Sequence, residues 1–289
     1  MTTITSTRYR AARERSSLPW GRWGVRTVAL TYLTVMLILP LAVIIQYGFQ
    51  DGLGGIWNAI NQPVARHALW LTLWTAAVMA LINAVMGTLT AYVLVRYSFP
   101  GKALLNGVVD LPFAIPTLVT GVTLVVLYGP QSAIGAWLEN ELGWRIIFAP
   151  PGIIIALLFV AFPFVVRTVQ PVLESLDRDQ EEAAATLGAG AWTIFRRVTL
   201  PPLLMPLISG TLLSFARAIG EFGAIVIVAG NIPRRSQTAA VYVFGQVEAG
   251  YPDIASAVSI VMLAIAFGLV LLVDYLQPRR GKPAAEEAQ

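Results

Sequence analysis

The chain has 289 residues, 56% of them hydrophobic and only 12% charged, with a net charge of +4. Soluble globular proteins carry about a quarter charged residues, so this composition excludes an ordinary soluble domain and points to the bilayer. With no cysteine and a single histidine, His67, disulfides, thiolate metal sites and multi-histidine metal sites are excluded as well.

Residues 1–25 are polar and basic and read as a short arm on the inner leaflet. The first uncharged run, 27–50, is too long for the apolar part of a cleavable signal and lacks a small-residue cleavage site after it. It reads as a first span near 27–48, with Pro40 inside it. The stretch FQDGLGGIWNAINQPVAR, 49–66, reads as an outside loop with turn glycines and an amphipathic turn. A second span is expected near 67–96, followed by the tight inside turn YSFPGK, in which Pro and Gly mark the reversal. The third starts near Ala103 and contains DLPFAIPT, 110–117. Two prolines four residues apart remove backbone donors and predict a kink. Such breaks are tolerated where they face protein or a water-filled path. An outside loop with Glu139, Glu141 and Arg145 leads to a fourth span near 151–172. A fifth is expected near 203–229. An outside segment with Arg234 and Arg235 precedes a sixth near 254–276, and 278–289 form a polar tail.

Each apolar run reaches the roughly 20 residues a helix needs to cross the hydrocarbon core, and none alternates as barrel strands do. The expected fold class is therefore an all-α integral membrane protein. Six transmembrane helices lie within one domain, 26–277. If the N-terminus is inside, fifteen of the twenty basic residues fall on the inside segments. The positive-inside rule then places both termini in the cytoplasm. It also places 176–201 there, between the fourth and fifth spans. Nucleic acid is not an expected partner, since the basic residues flank membrane spans.

That segment is helix-forming but not membrane-spanning. Asp177, Asp179, Glu181 and Glu182 crowd its start, where carboxylates complement the helix dipole. EAAATL has high helix propensity, and Gly188 and Gly190 interrupt it as a helix C-terminus does. AWTIFRRVTL resumes as a second short helix, which Pro201 and Pro202 either stop or convert into the start of the fifth span. The small side chains of Ala183, Ala184 and Ala185 allow close approach by another protein. An ordinary surface loop is the other reading of the same residues.

Within the fifth span, SGTLLSFARAIGEFGA places Arg217 and Glu221 in mid-membrane. A charge there costs about 2.5–3.5 kcal/mol on insertion scales. Spaced four apart, the two would share a helix face, which Gly210 and Ser214 continue, so the stripe is expected to face a bundle interior or an aqueous path. The pair serves either to lock helices by mutual neutralisation or to offer positive potential to a passing anion.

The cytoplasmic segment resembles the coupling motif of ATP-binding-cassette importer membrane subunits: E-A-A, three residues, G, nine residues, I, one residue, L-P. Here it reads Glu182-Ala183-Ala184, Gly188, Val198 and Leu200-Pro201, with Val in place of Ile. The resemblance implies a type I importer permease fold. It also implies a coupling role toward an ATPase subunit for Glu181, Glu182, Ala183, Ala184, Gly188, Leu200 and Pro201. The chain lacks a G-x-x-x-x-G-K-S/T phosphate loop, so it is not expected to be an enzyme or to hold a cofactor. Mg-ATP would be bound by the partner. DLPFAIPT, FVVRTVQPVLESLDRDQEEAAATLGA and FARAIGEFGAIVIVAGNIP are similar to the sulfate/thiosulfate permeases, T-type subunit. This implies a bacterial inner-membrane complex with a W-type second permease subunit, two ATP-binding subunits and a periplasmic or lipid-anchored sulfate-binding protein. AR-x-I-GE-F-G also occurs in molybdate permeases, so a molybdate or tungstate importer is the alternative cargo. A stand-alone ion-coupled secondary transporter is the alternative class, and it would need more intramembrane carboxylates than Asp110 and a paired Glu221.

Overall fold

In the computed structural model residues 19–276 are described, and all regular structure among them is helical. The chain divides into two compact units after Gln46. In the first unit, α1 (Pro19–Leu33) passes through a π-turn, Thr34–Ile38, into α2 (Leu39–Gly48). Pro40 explains the π-turn. It has no amide hydrogen and its ring crowds the carbonyl four residues back, so the ladder widens just ahead of it. The expected arm, 1–25, thus gives way to helix at Pro19; its earlier residues and the tail, 278–289, lie outside the described residues.

The second unit begins with α3 (Gly52–Asn61), a ten-residue helix where 49–66 were expected to form a loop with an amphipathic turn. It buries Ile56 and Ala59 against Ala257 and leaves Leu53 and Trp57 exposed. Pro63 then opens α4 (Pro63–Arg96) at its first position, where a missing amide costs nothing. Its 34 residues are about 51 Å long at 1.5 Å per residue, well beyond a bilayer core. One face is small: Ala65, Ala68, Thr72, Ala76, Ala80, Gly87 and Ala91 are all buried. Thr72, Thr75 and Thr88 return their hydroxyls to carbonyls one turn back, so the face carries no unpaired donor from them. Small faces let backbones approach closely where lipid gives no hydrophobic drive between helices.

The kink expected in DLPFAIPT is a full break. α5 (Lys102–Ala114) and α6 (Thr117–Tyr128) meet at 109° across Ile115 and Pro116. α7 (Ala133–Leu142) follows, its Ser132 cap accepting from the Gly135 amide at 2.8 Å. α8 (Pro150–Ser175) is the central helix, with Pro163 and Pro171 inside it. Next come α9 (Arg178–Thr186), α10 (Ala191–Ile194), a second π-turn (Phe195–Thr199) and α11 (Leu200–Ile219). The π-turn again sits just before proline, here Pro201 and Pro202, so helix runs from Ala191 to Ile219 without a stop. α12 (Gly223–Ala229), α13 (Ala239–Glu248) and α14 (Pro252–Leu276) complete the unit.

Three expectations change. The fifth span, expected at 203–229, starts earlier and breaks at Gly220–Phe222. The outside segment after it contains α13. Among the described residues, spans long and apolar enough to cross a bilayer number five, with a sixth if the bent α5–α6 pair crosses as one. The core lies where α4, α8 and α11 pack. One cluster gathers around Met79, Ile153, Val160 and Ile225, and a second around Leu94, Val165, Val169 and Leu203.

Candidate functional site

The segment between α8 and α11 is built from its caps. Asp177 accepts from the Asp179 amide at 3.0 Å and starts α9, with Asp179 and Glu181 in its first turn. At the other end Gly188 has φ +84°, a left-handed conformation that disfavours any side chain. The Ala189 amide donates back to the Ala184 carbonyl (3.1 Å) and the Gly188 amide to Ala185 (2.9 Å), the paired closure of a Schellman motif. Chain direction reverses there and α10 begins after Gly190.

The proposed coupling residues divide by exposure. Glu182, Ala183 and Gly188 are exposed, and nothing lies within 4 Å of where a Gly188 side chain would start. Beside them Leu187 is 88% exposed and Trp192 70%, although both are apolar; sequence reading passed over these two. Glu181 turns the other way, and its carboxylate meets Arg96 at the end of α4 (2.8 Å) and accepts from Thr199 (2.8 Å). Ala184, Leu200 and Pro201 belong to the segment but carry no functional group: Ala184 closes the cap, and Leu200–Pro201 open α11.

The polar stripe of the fifth span also divides. A methyl on Gly210 would lie 3.1 Å from Val165 Cα and from Thr168 Cβ. Ser214 is fully buried and donates to the Ala161 carbonyl at 3.3 Å. These two residues press α11 onto α8 and do not line a path in this conformation, because small side chains at that spacing are used for close helix packing.

Arg217 and Glu221 do pair, at 2.8 Å, but not along one helix. α11 ends at Ile219, and Glu221 lies beyond the Gly220 cap. The other Glu221 oxygen accepts from the Ala224 amide at 3.0 Å, in the first turn of α12. The cation thus sits in the last turn of one helix and the anion at the start of the next, each where the backbone dipole favours it. Their accessibility is unequal: the Glu221 side chain is 2% exposed and that of Arg217 35%. Among the described residues the Arg217 guanidinium has no other partner.

Arg167 provides the contrast. Asp110 takes its Nε (2.7 Å) and one Nη2 hydrogen (2.6 Å). The Asn106 carbonyl takes the other Nη2 hydrogen (2.9 Å), and the Asn106 and Gln170 side chains take the two on Nη1 (2.9 and 2.7 Å). All five donors are engaged, so this arginine is saturated and joins α5 to α8. Sequence reading missed the pair because 57 residues separate its members. Arg167→Lys is expected to lose the two-pronged contact, which an ammonium cannot reproduce. Asp110 is half exposed, so solvent screening limits the loss to about 1 kcal/mol. It is measured as a small fall in the thermal midpoint of the purified protein with uptake retained.

The family model described as "Binding-protein-dependent transport system inner membrane component" matches residues 83–282. A "Probable sulfate transport system permease protein cysT" of Nephroselmis olivacea is 43% identical over 88% of this chain and 89% of its own. The "Sulfate transport system permease protein CysT" of Escherichia coli (strain K12) is 40% identical over 94% and 98%. Among solved structures, a bacterial alginate ABC transporter in complex with an alginate pentasaccharide-bound periplasmic protein superposes with a TM-score of 0.74. It is 17% identical, with 90% of this chain and 94% of that one covered. The MetNI methionine ABC transporter in an inward-facing form gives 0.52 at 17% identity, covering 75% and 97%. The last two establish the fold alone; the first three establish kinship. The chain belongs to the family of binding-protein-dependent transport system inner membrane components, and its relatives there include the sulfate permeases of T type.

Proposed function

We propose that this chain is the membrane permease subunit of an ATP-binding-cassette importer that moves sulfate or thiosulfate across a bacterial inner membrane, with Arg217 in the anion's path. Kinship with sulfate permeases over nearly the whole chain supports the cargo. The observation that carries the role of Arg217 is its unsaturated, partly exposed guanidinium, in contrast to the fully saturated Arg167.

An arginine held by one buried carboxylate presents a reduced positive potential. A doubly charged oxyanion is then attracted weakly, as a conduit requires if its cargo is to leave. The carboxylate fixes the guanidinium and would not meet the anion, since it is the buried member of the pair. In the assembled importer a W-type permease subunit would face this chain. Two ATP-binding subunits would engage the exposed surface around Glu182, Ala183, Leu187 and Trp192, and a periplasmic or lipid-anchored binding protein would deliver the anion. Both termini and the α9 segment would then be cytoplasmic. Closure of the ATPases on Mg-ATP would move α9, and α11 with it.

Uptake of labelled sulfate is expected to be lost in cells lacking this chain and regained when it is supplied. A tenfold excess of molybdate should leave uptake nearly intact. Strong inhibition by molybdate would transfer the assignment to a molybdate or tungstate importer, and sulfate movement by the purified chain without an ATPase would support the ion-coupled alternative.

A further inference from the structure

We infer that Glu181 is a positioning residue that ties the ATPase-facing segment to the end of α4, so that α4 and α11 receive the same displacement. This rests on the reading that the segment engages an ATPase. The neighbouring carboxylates Glu181 and Glu182 would then have opposite assignments, one inward as a fastener and one outward as a contact.

The geometry is a three-way junction. Arg96 is the last residue of α4. Its side chain is 8% exposed and lies 2.8 Å from the Glu181 carboxylate, whose own side chain is 19% exposed. The same carboxylate oxygen accepts from Thr199 Oγ1 at 2.8 Å, and Thr199, on the second π-turn, is itself buried. One side chain on α9 therefore holds both the end of α4 and the turn from which α11 departs. Arg178, also on α9, reinforces the first link by donating to the terminal carbonyls of α4 at Val95 (3.3 Å) and Arg96 (3.4 Å). Tyr92 of α4 packs edge-on against Phe195 of the π-turn, with centroids 6.0 Å apart, and Phe195 stacks on Trp192 at 5.7 Å.

A buried ion pair is a poor source of net stability, because both charges lose water. Its directionality suits registration instead. A hydrogen-bonded carboxylate shared by two elements resists shear between them, whereas apolar packing lets helices slide. Without it a push on α9 would reach α4 only through the long Arg178 contacts and the Tyr92–Phe195 packing, which hold register less firmly.

The test uses the assembled importer in proteoliposomes, with sulfate uptake and ATP hydrolysis measured on the same preparation. Glu181→Gln, which keeps the shape and an acceptor but removes the charge, is expected to keep the ATPase subunits bound while sulfate moved per ATP falls roughly tenfold, a typical coupling effect. The exchange R96E with E181R should recover much of that ratio, a rescue that a contact with the ATPase would not give. Thr199→Val, which removes only the second link, should give a smaller fall and decides the matter should the Glu181→Gln chain fail to insert. An unchanged ratio in Glu181→Gln or, in its place, Thr199→Val overturns the inference. So does an exchange that recovers nothing, or a Glu181→Gln chain that inserts but releases its ATPase subunits. Failure of the underlying reading looks different, since the unsubstituted chain would then bind no ATPase subunit.

Discussion

Arg217→Ala is expected to abolish uptake and to reduce assembly of the importer. The substitution leaves the Glu221 carboxylate, 2% exposed, with only the Ala224 amide for a partner. Removing one member of a buried pair costs about 3–5 kcal/mol, and the surviving amide contact points to the lower part of that range. Structure and conduction are separated by changing both residues to Met. That removes two charges together and keeps volume, so assembly should return to near the parent level. If Arg217 attracts the anion, uptake in the double variant stays at least tenfold low, as one lost charge-assisted contact of about 1.5–3 kcal/mol requires. If the pair only fastens the break between α11 and α12, uptake returns with assembly, and the anion role is lost. Assembly is followed by co-purification of the ATPase subunits, and uptake by labelled sulfate.

Gly188→Val should insert and fold yet uncouple ATP hydrolysis from uptake. Space does not forbid the side chain, because nothing lies within 4 Å of its first carbon. The backbone does: φ is +84°, and a branched residue there costs about 1–3 kcal/mol. To relieve that strain the chain must give up the two closing hydrogen bonds to Ala184 and Ala185 and with them the angle between α9 and α10. Gly188→Asn is the informative control, since Asn tolerates the left-handed region. Retained coupling in Asn and lost coupling in Val would identify conformation as the requirement. Equal loss in both would identify direct contact with a partner at that surface, and normal coupling in Val would remove Gly188 from the mechanism.

Much of the fold could be read from charge spacing and proline. The apolar runs locate the second, fourth and sixth spanning helices to within a few residues, because a charge inside the bilayer is costly wherever it falls, but they misplace the fifth and do not resolve the third into two helices. The proline pair in DLPFAIPT marked a weak point but not its size; a 109° turn depends on what α5 and α6 each pack against. The same limit applies to the fifth span. Gly220 is helix-compatible in an apolar run, and only the Ala224 amide waiting for a carboxylate shows why the chain stops there. In the segment from α9 to α10 the short helices and their glycine stop were legible from propensity and capping, both local. Glu181 was not distinguishable from Glu182, since the difference depends on Arg96, 85 positions away. Arg167 and Asp110 were visible as charges but not as partners, for the same reason.

The two interruptions also adjoin one another. A methyl on Gly121, in α6, would lie 2.7 Å from the Ala224 carbonyl of α12, and a methyl on Gly223 would lie 3.2 Å from the Leu118 amide nitrogen and closer still to the Thr117 hydroxyl. The segments that follow the interruptions therefore ride together, backbone against backbone, while α4, α8 and α11 form a continuous shaft beside them. α12 is also fixed to the core, with Ile225 and Val228 buried and the Val228 carbonyl accepting from the Phe148 amide at 2.9 Å. A bulky residue at Gly121 or Gly223 is therefore expected to disturb both segments and the core beneath them together.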